Sequence, residues 1–237
     1  MGRETTVRDN YQRFMEHFHG ALERTGRAQS DVAVVAVSKQ RSVEEIKAVV
    51  ACGARIIGEN RIQEAKTKFA EGMIASDRGF SLHMIGHLQR NKAKDAVELF
   101  ELIQSVDSYR IAEAIDNVAG KLGKKQRILV EVNSSGEEQK YGFPPERTAE
   151  AVANLVELRN LSVSGLMTVG PLTDDEIEIR RAFADTYKLF QDLRRQFYGF
   201  EALTELSMGM TDDFELAIAE GSTMIRVGRA IFGPREK

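Results

Sequence analysis

Apolar and polar positions along this chain fall into two alternating rhythms. Short, nearly unbroken apolar runs alternate with longer segments in which apolar residues recur every three or four positions. The first rhythm is that of strands buried on both faces, the second that of amphipathic helices. A helix is predicted over residues 7–24, where Val7, Tyr11, Phe14, Phe18 and Leu22 share one face. The wholly apolar run 32–37 predicts the first strand. Ser42-Val-Glu-Glu45 has the form of a capping box and opens a helix through Cys52, which Gly53 closes. Further strands are predicted over 55–58, 81–85, 102–106, 127–132, 161–166, 205–207 and 224–227. Helix-like segments separate them, most clearly 109–122, 145–158, 175–197 and 213–219.

Eight strands alternating with helices predict a single-domain TIM (β/α)8 barrel over 1–237, with about the first 30 residues forming a helix packed on the barrel. A doubly wound open sheet is the competitor. It would usually place a glycine-rich turn after the first strand, where this chain has Ser38-Lys-Gln-Arg41.

Composition narrows the function classes. Net charge is −3, which gives no overall attraction to nucleic acid. Lys121, Lys124 and Lys125, the densest basic spot, read as a solvated helix end. No apolar run approaches the length of a membrane span, and the polar N-terminus is no secretory signal. Met1-Gly2 with Thr6 formally matches an acylation pattern, but the stretch reads better as the start of the first helix. Cys52 is the only cysteine; it excludes an intrachain disulfide, fits a reducing cytoplasm and reads as a buried structural thiol. His83 and His87 are spaced i, i+4 but lie in a strand and the loop after it, so no metal site is expected.

In such a barrel the chemistry sits at the C-terminal strand ends. Those ends carry Lys39, Glu59 and Asn60, His87, Asp107 and Ser108, Asn133, Met167 and Thr168, Ser207, and Arg226 with Gly228. A lysine at an apolar barrel mouth loses hydration, which lowers its pKa and frees the amine for Schiff-base chemistry. The plainer reading is a lysine that caps the strand and reaches solvent. TIM barrels often bind phosphate with the loops after strands seven and eight. Here those loops are Ser207-Met-Gly-Met-Thr211 and 227–233, with Gly228 and Arg229 able to present backbone N–H groups. Arg226, flanked by Ile225 and Val227, must point into the mouth or find a buried carboxylate partner.

Six motifs in order, namely Ala36-Val-Ser-Lys39, Ile57-Gly-Glu-Asn60, His83-Met-Ile-Gly86 with Leu88-Gln89 and Asn91-Lys92, Gly165-Leu-Met-Thr168, Leu206-Ser-Met-Gly-Met210 and Ile225-Arg-Val-Gly-Arg229, resemble the pyridoxal 5′-phosphate (PLP) homeostasis proteins. That family is also described as proline synthase co-transcribed homologs, and its fold is similar to the N-terminal barrel of alanine racemase. The resemblance spans about residues 7–233 and implies PLP as cofactor, held as a Schiff base on Lys39. It implies that Ser207 and the backbones of Gly228 and Arg229 hold the phosphate, with Thr211 or Gly209 nearby. It implies that Arg226 faces the pyridine nitrogen and that Asn60 and His83 lie close to the ring, and Met167 is taken as a further cofactor-binding residue.

The function implied is a cytoplasmic, monomeric or weakly dimeric carrier that buffers PLP or supplies it to apo-PLP enzymes, with no catalytic residue of its own. The chain ends four residues after Gly233, so no second domain is expected to supply a second base or close the site. A racemase-like PLP enzyme is the alternative. A phosphate-sugar enzyme using Lys39 as an aldolase-type lysine, with Glu59 as its acid or base, is a more distant one.

Overall fold

The computed structural model describes residues 3–69, 79–137, 141–197 and 203–234. Eight parallel strands close into a barrel in sequence order: β1 (Ala33–Val37), β2 (Ile56–Glu59), β3 (Ser81–Met84), β4 (Leu102–Val106), β5 (Gln126–Val132), β6 (Leu161–Thr168), β7 (Glu205–Ser207) and β8 (Met224–Val227). Closure is made by β8 against β1, with Ala33 opposite Met224 and Ala36 opposite Val227. The barrel is the expected architecture, and β4, β7 and β8 have the expected bounds.

Helices follow the strands: α2 (Val43–Ala51), α3 (Ile62–Phe69), α4 (Ala93–Leu99), α5 (Tyr109–Lys121), α6 (Pro145–Leu155), α7 (Glu176–Gln196), α8 (Phe214–Ala219) and the single turn α9 (Arg229–Phe232). The first helix, α1 (Arg3–Thr25), precedes the barrel and packs on α2, α8 and α9. Phe14 anchors it edge-on against Phe214 at 5.5 Å between ring centroids. Met1 and Gly2 of the acylation pattern lie outside the described residues, while Thr6 is on α1. The capping box is formed as read: Ser42 Oγ accepts from Glu45 N, and Glu45 accepts from Ser42 N. Cys52 is half-buried at the end of α2 rather than fully enclosed. Among the described residues no helix is long and apolar enough to cross a membrane.

Side chains alternate across a strand, so every second residue faces the barrel axis. Val35, Leu102, Leu129, Met167 and Met224 form one apolar layer inside the barrel. Two residues further along the same strands stand Val37, Gln104, Glu131 and Arg226. The interior therefore changes from apolar to polar toward the C-terminal ends of the strands. The larger core fills the space between barrel and helices.

Candidate functional site

A cavity of about 350 Å³ opens at the C-terminal end of the barrel. Its walls include Lys39, Arg41, Asn60, Thr211, Arg226, Gly228 and Arg229. The volume lies within the roughly 300–1,000 Å³ typical of small-molecule sites. Val37, Ile85, Val169 and Met210 provide the apolar part of the wall. The closing β1–β8 pair explains why Lys39 and the Gly228–Arg229 turn share one cavity: they extend from adjacent strands.

The turn after β8 leads directly into α9, with Gly228 as its N-cap. The first N–H groups of a helical turn have no intrahelical acceptor. Across from it, the loop after β7 is shaped by Gly209, whose φ is +94°. A side chain there would bring its Cβ to 2.5 Å from Ala217 Cβ. Asp213, at the N-cap of α8, accepts from Met210 N and fixes the loop's rim. Arg229 reaches across to Asp212, so the two loops are linked by an exposed ion pair. Arg41 sits buried at the side, its guanidinium donating to the carbonyls of Gly233 and Pro234.

Below the rim runs a buried polar chain. Arg226 donates from Nη2 to Thr168 O at 2.8 Å and from Nη1 to Ser207 Oγ at 2.7 Å. Ser207 Oγ donates to Gln104 Oε1 at 2.7 Å, and Gln104 Nε2 meets His83 Nδ1 at 3.0 Å. Burial pushes the Arg226 pKa down to about 10, opposed by the nearby negative charges of Asp213 and Glu131. Burial pushes the Glu131 carboxyl up to about 7; Asp107 adds to this and Arg226 opposes it. His83 is driven down to about 3 by burial first and the charge of Arg127 second, so it is a neutral ring. The direct partners of Arg226 are thus a hydroxyl and a carbonyl, with the carboxylates acting on it through space.

The structure brings Lys39, Asn60, Thr211, Arg226, Gly228 and Arg229 to one cavity, and it places four other sequence-predicted residues elsewhere. Ser207 is fully buried beneath Arg226, its hydroxyl already engaged on both sides. His83 lies deeper still, at the far end of the same polar chain. Met167 belongs to the apolar layer within the barrel. Gly209 is buried, shapes its loop and accepts from Arg226 N at 2.9 Å.

Two further charged residues on the cavity wall, Arg41 and Asp212, are not among the site residues the sequence points to. Arg41 is recognisable only as a charge just after the first strand. His87, at the third strand end, bonds through Nδ1 to Asp107 Oδ2 at 2.8 Å and stacks on Tyr141 at 3.8 Å. Asn60 Oδ1 is buried with no hydrogen-bond partner. A buried acceptor without a donor is costly, so a ligand donor at the Asn60 wall would relieve it.

The family "Alanine racemase, N-terminal domain" matches residues 6–236. A pyridoxal phosphate homeostasis protein of Aquifex aeolicus is 37% identical over 228 residues, covering 96% of this chain and 98% of that protein. An unknown protein from Bifidobacterium adolescentis superposes with a TM-score of 0.91 at 38% identity, over 97% of this chain and 95% of that one. PipY of Synechococcus elongatus, in a structure described as having PLP bound, gives a TM-score of 0.81 at 34% identity, over 96% of this chain and 100% of that one. Alanine racemase of Clostridium difficile shares the fold at 18% identity and a TM-score of 0.76; the match covers 97% of this chain and 58% of that one. On its barrel, its motifs and these similarities, the chain belongs to the pyridoxal phosphate homeostasis protein family, built on the barrel of the alanine racemase N-terminal domain.

Proposed function

We propose that this protein binds PLP in the cavity at the barrel mouth, joined covalently to Lys39, and acts in PLP homeostasis as a carrier with little turnover of its own. One observation carries the reading. An amine, a guanidinium and the helix-start turn of Gly228 and Arg229 line the same small-molecule-sized cavity.

The donor set fits the group. When bound, PLP supplies an aldehyde for the lysine, a pyridine ring and a dianionic phosphate. Gly228 and Arg229 offer backbone N–H groups at a helix start, which suits phosphate. Thr211 lines the same cavity and adds a hydroxyl on the phosphate side. Lys39 supplies the amine for attachment. Arg226, held by Ser207 and Thr168, keeps a permanent donor on the cavity floor. A guanidinium in that place keeps a proton off a pyridine nitrogen and so discourages carbanion chemistry. The names of the relatives support the carrier reading over the racemase one. The recipients we propose are apo-forms of PLP enzymes in the cytoplasm, where the lone Cys52 meets a reducing environment.

Borohydride reduction of the PLP-loaded protein followed by peptide mapping should place the pyridoxyl label on Lys39. A label on another lysine, or none, rejects the cofactor site. Incubation of the loaded protein with L-alanine and other amino acids should yield no sustained product, while the same preparation activates an apo-PLP enzyme. Multiple turnover on a common amino acid would replace the carrier with the racemase-like enzyme.

A further inference from the structure

β1 ends at Val37, and Ser38, Lys39 and Gln40 leave the barrel as a turn. Gln40 has a φ of +60°, the left-handed region that a residue with a side chain seldom adopts. Backbone held in that state needs outside support. It receives support on both sides of Lys39. Lys68 Nζ, from α3, donates to Ser38 O at 2.6 Å. Gln40 N donates to Glu64 Oε1, also from α3.

The two supports belong to one charge cluster. Lys68 Nζ lies 2.7 Å from Glu64 Oε1 and 2.7 Å from Glu59 Oε1, at the end of β2. Ser38 Oγ donates to that same Glu59 oxygen at 2.6 Å. Lys68 is 8% exposed and Glu59 fully buried. Burial raises the Glu59 pKa, against the hydrogen bonds from Lys68 and Ser38. A buried ion pair seldom gains stability over apolar packing of the same volume, because removing both charges from water is costly. What it does provide is direction: three acceptors converge on one ammonium, and one of them is the carbonyl before Lys39.

We propose that Lys68, together with Glu59 and Glu64, is the positioning set for Lys39, clamping the backbone on either side of it so that its amine stands at the cavity. The proposal rests on the reading that PLP is joined to Lys39. Attachment forms a C=N bond between Nζ and the aldehyde carbon. The aldehyde oxygen leaves as water, and the ammonium's remaining proton passes to solvent. A clamp of this kind acts on the approach of the amine and leaves the phosphate and ring contacts alone.

The test compares two probes, PLP and pyridoxamine 5′-phosphate, which has no aldehyde and cannot join a lysine. The parent protein, Lys68→Met, Lys68→Arg and Glu64→Ala are each mixed with PLP. Attachment is followed by the absorption band of the joined cofactor and by borohydride trapping on Lys39. In Lys68→Met and Glu64→Ala, attachment should slow by about tenfold to a hundredfold, the scale of a small misplacement of a reacting group. Lys68→Arg should restore most of it, and pyridoxamine phosphate should bind all four proteins alike. Affinity for pyridoxamine phosphate that falls in step with PLP attachment overturns the proposal in favour of general structural support. Unaltered attachment in Glu64→Ala overturns it as well. That variant carries the comparison if Lys68→Met fails to fold, because the Glu64 side chain is 21% exposed. A parent protein without label on Lys39 overturns the cofactor reading itself, and it is seen before any variant is made.

Discussion

Two hydroxyls, Ser207 at the end of β7 and Thr211 in the loop after it, are candidates for the phosphate, and the structure separates them. Ser207 Oγ is fully buried, donating to Gln104 and accepting from Arg226 at 2.7 Å each. Ser207→Ala removes one neutral hydrogen bond, worth about 1 kcal/mol, and one to a charged group, worth about 1.5–3 kcal/mol. It also leaves Gln104 Oε1 without its donor in a buried site. The loss is thus about 2.5–4 kcal/mol of stability, which for a chain of this size lowers Tm by roughly 5–16 °C. PLP and pyridoxal should weaken by the same factor, since the phosphate is not involved. Thr211→Ala should leave Tm nearly unchanged but weaken PLP by about tenfold, the worth of one charge-assisted hydrogen bond, with pyridoxal unaffected. The assay is equilibrium dialysis of both vitamers against the three proteins, alongside thermal melts. If Ser207→Ala weakens PLP selectively while Tm holds, the buried-chain assignment is wrong and the hydroxyl touches phosphate after all.

Glu131 supplies a pH test. Its folded pKa of about 7 lies above the ordinary 4.5, so the folded form holds the proton more tightly and stability falls as pH rises through that interval. Glu131→Gln should therefore be more stable than the parent at pH 8, by about 3 kcal/mol at most, and close to it at pH 4; a stability difference between the two proteins that does not change with pH rejects this. Gly209→Ala sets a side chain at positive φ and drives its Cβ to 2.5 Å from Ala217 Cβ. It should cost about 2–5 kcal/mol in a urea titration, and an unmoved midpoint would mean that the loop does not need its glycine.

How much was legible in the sequence depended on whether the signal was local. β1, announced by an unbroken apolar run, is legible, and so is the Ser42 capping box, whose partners are three residues apart. β6 runs on to Thr168, past its expected end at Leu166, because Glu131 and Val132 of β5 continue to pair with Met167 and Thr168. Depth was not legible. The reading placed Ser207 and Met167 at the rim because they end or nearly end their strands. The seventh strand has only three residues and ends deep in the barrel, leaving Met208 to Thr211 to climb to the cavity. Lys68 was hidden for a similar reason. Beside Glu64 it reads as an ordinary surface pair at i, i+4, and only the fold brings Ser38 and Glu59 to it.

The pairing of β1 with β8 has a consequence for synthesis. During translation Lys39 leaves the ribosome long before Gly228 and Arg229 do. Until the eighth strand docks beside the first, the Lys39 amine and the Gly228–Arg229 turn belong to no common cavity. If Lys39 and that turn hold the cofactor as proposed, a nascent chain presents a lysine but no vitamer site. Tight cofactor uptake becomes a report that the ring has been closed, and cofactor present in the cell favours the closed ring by mass action.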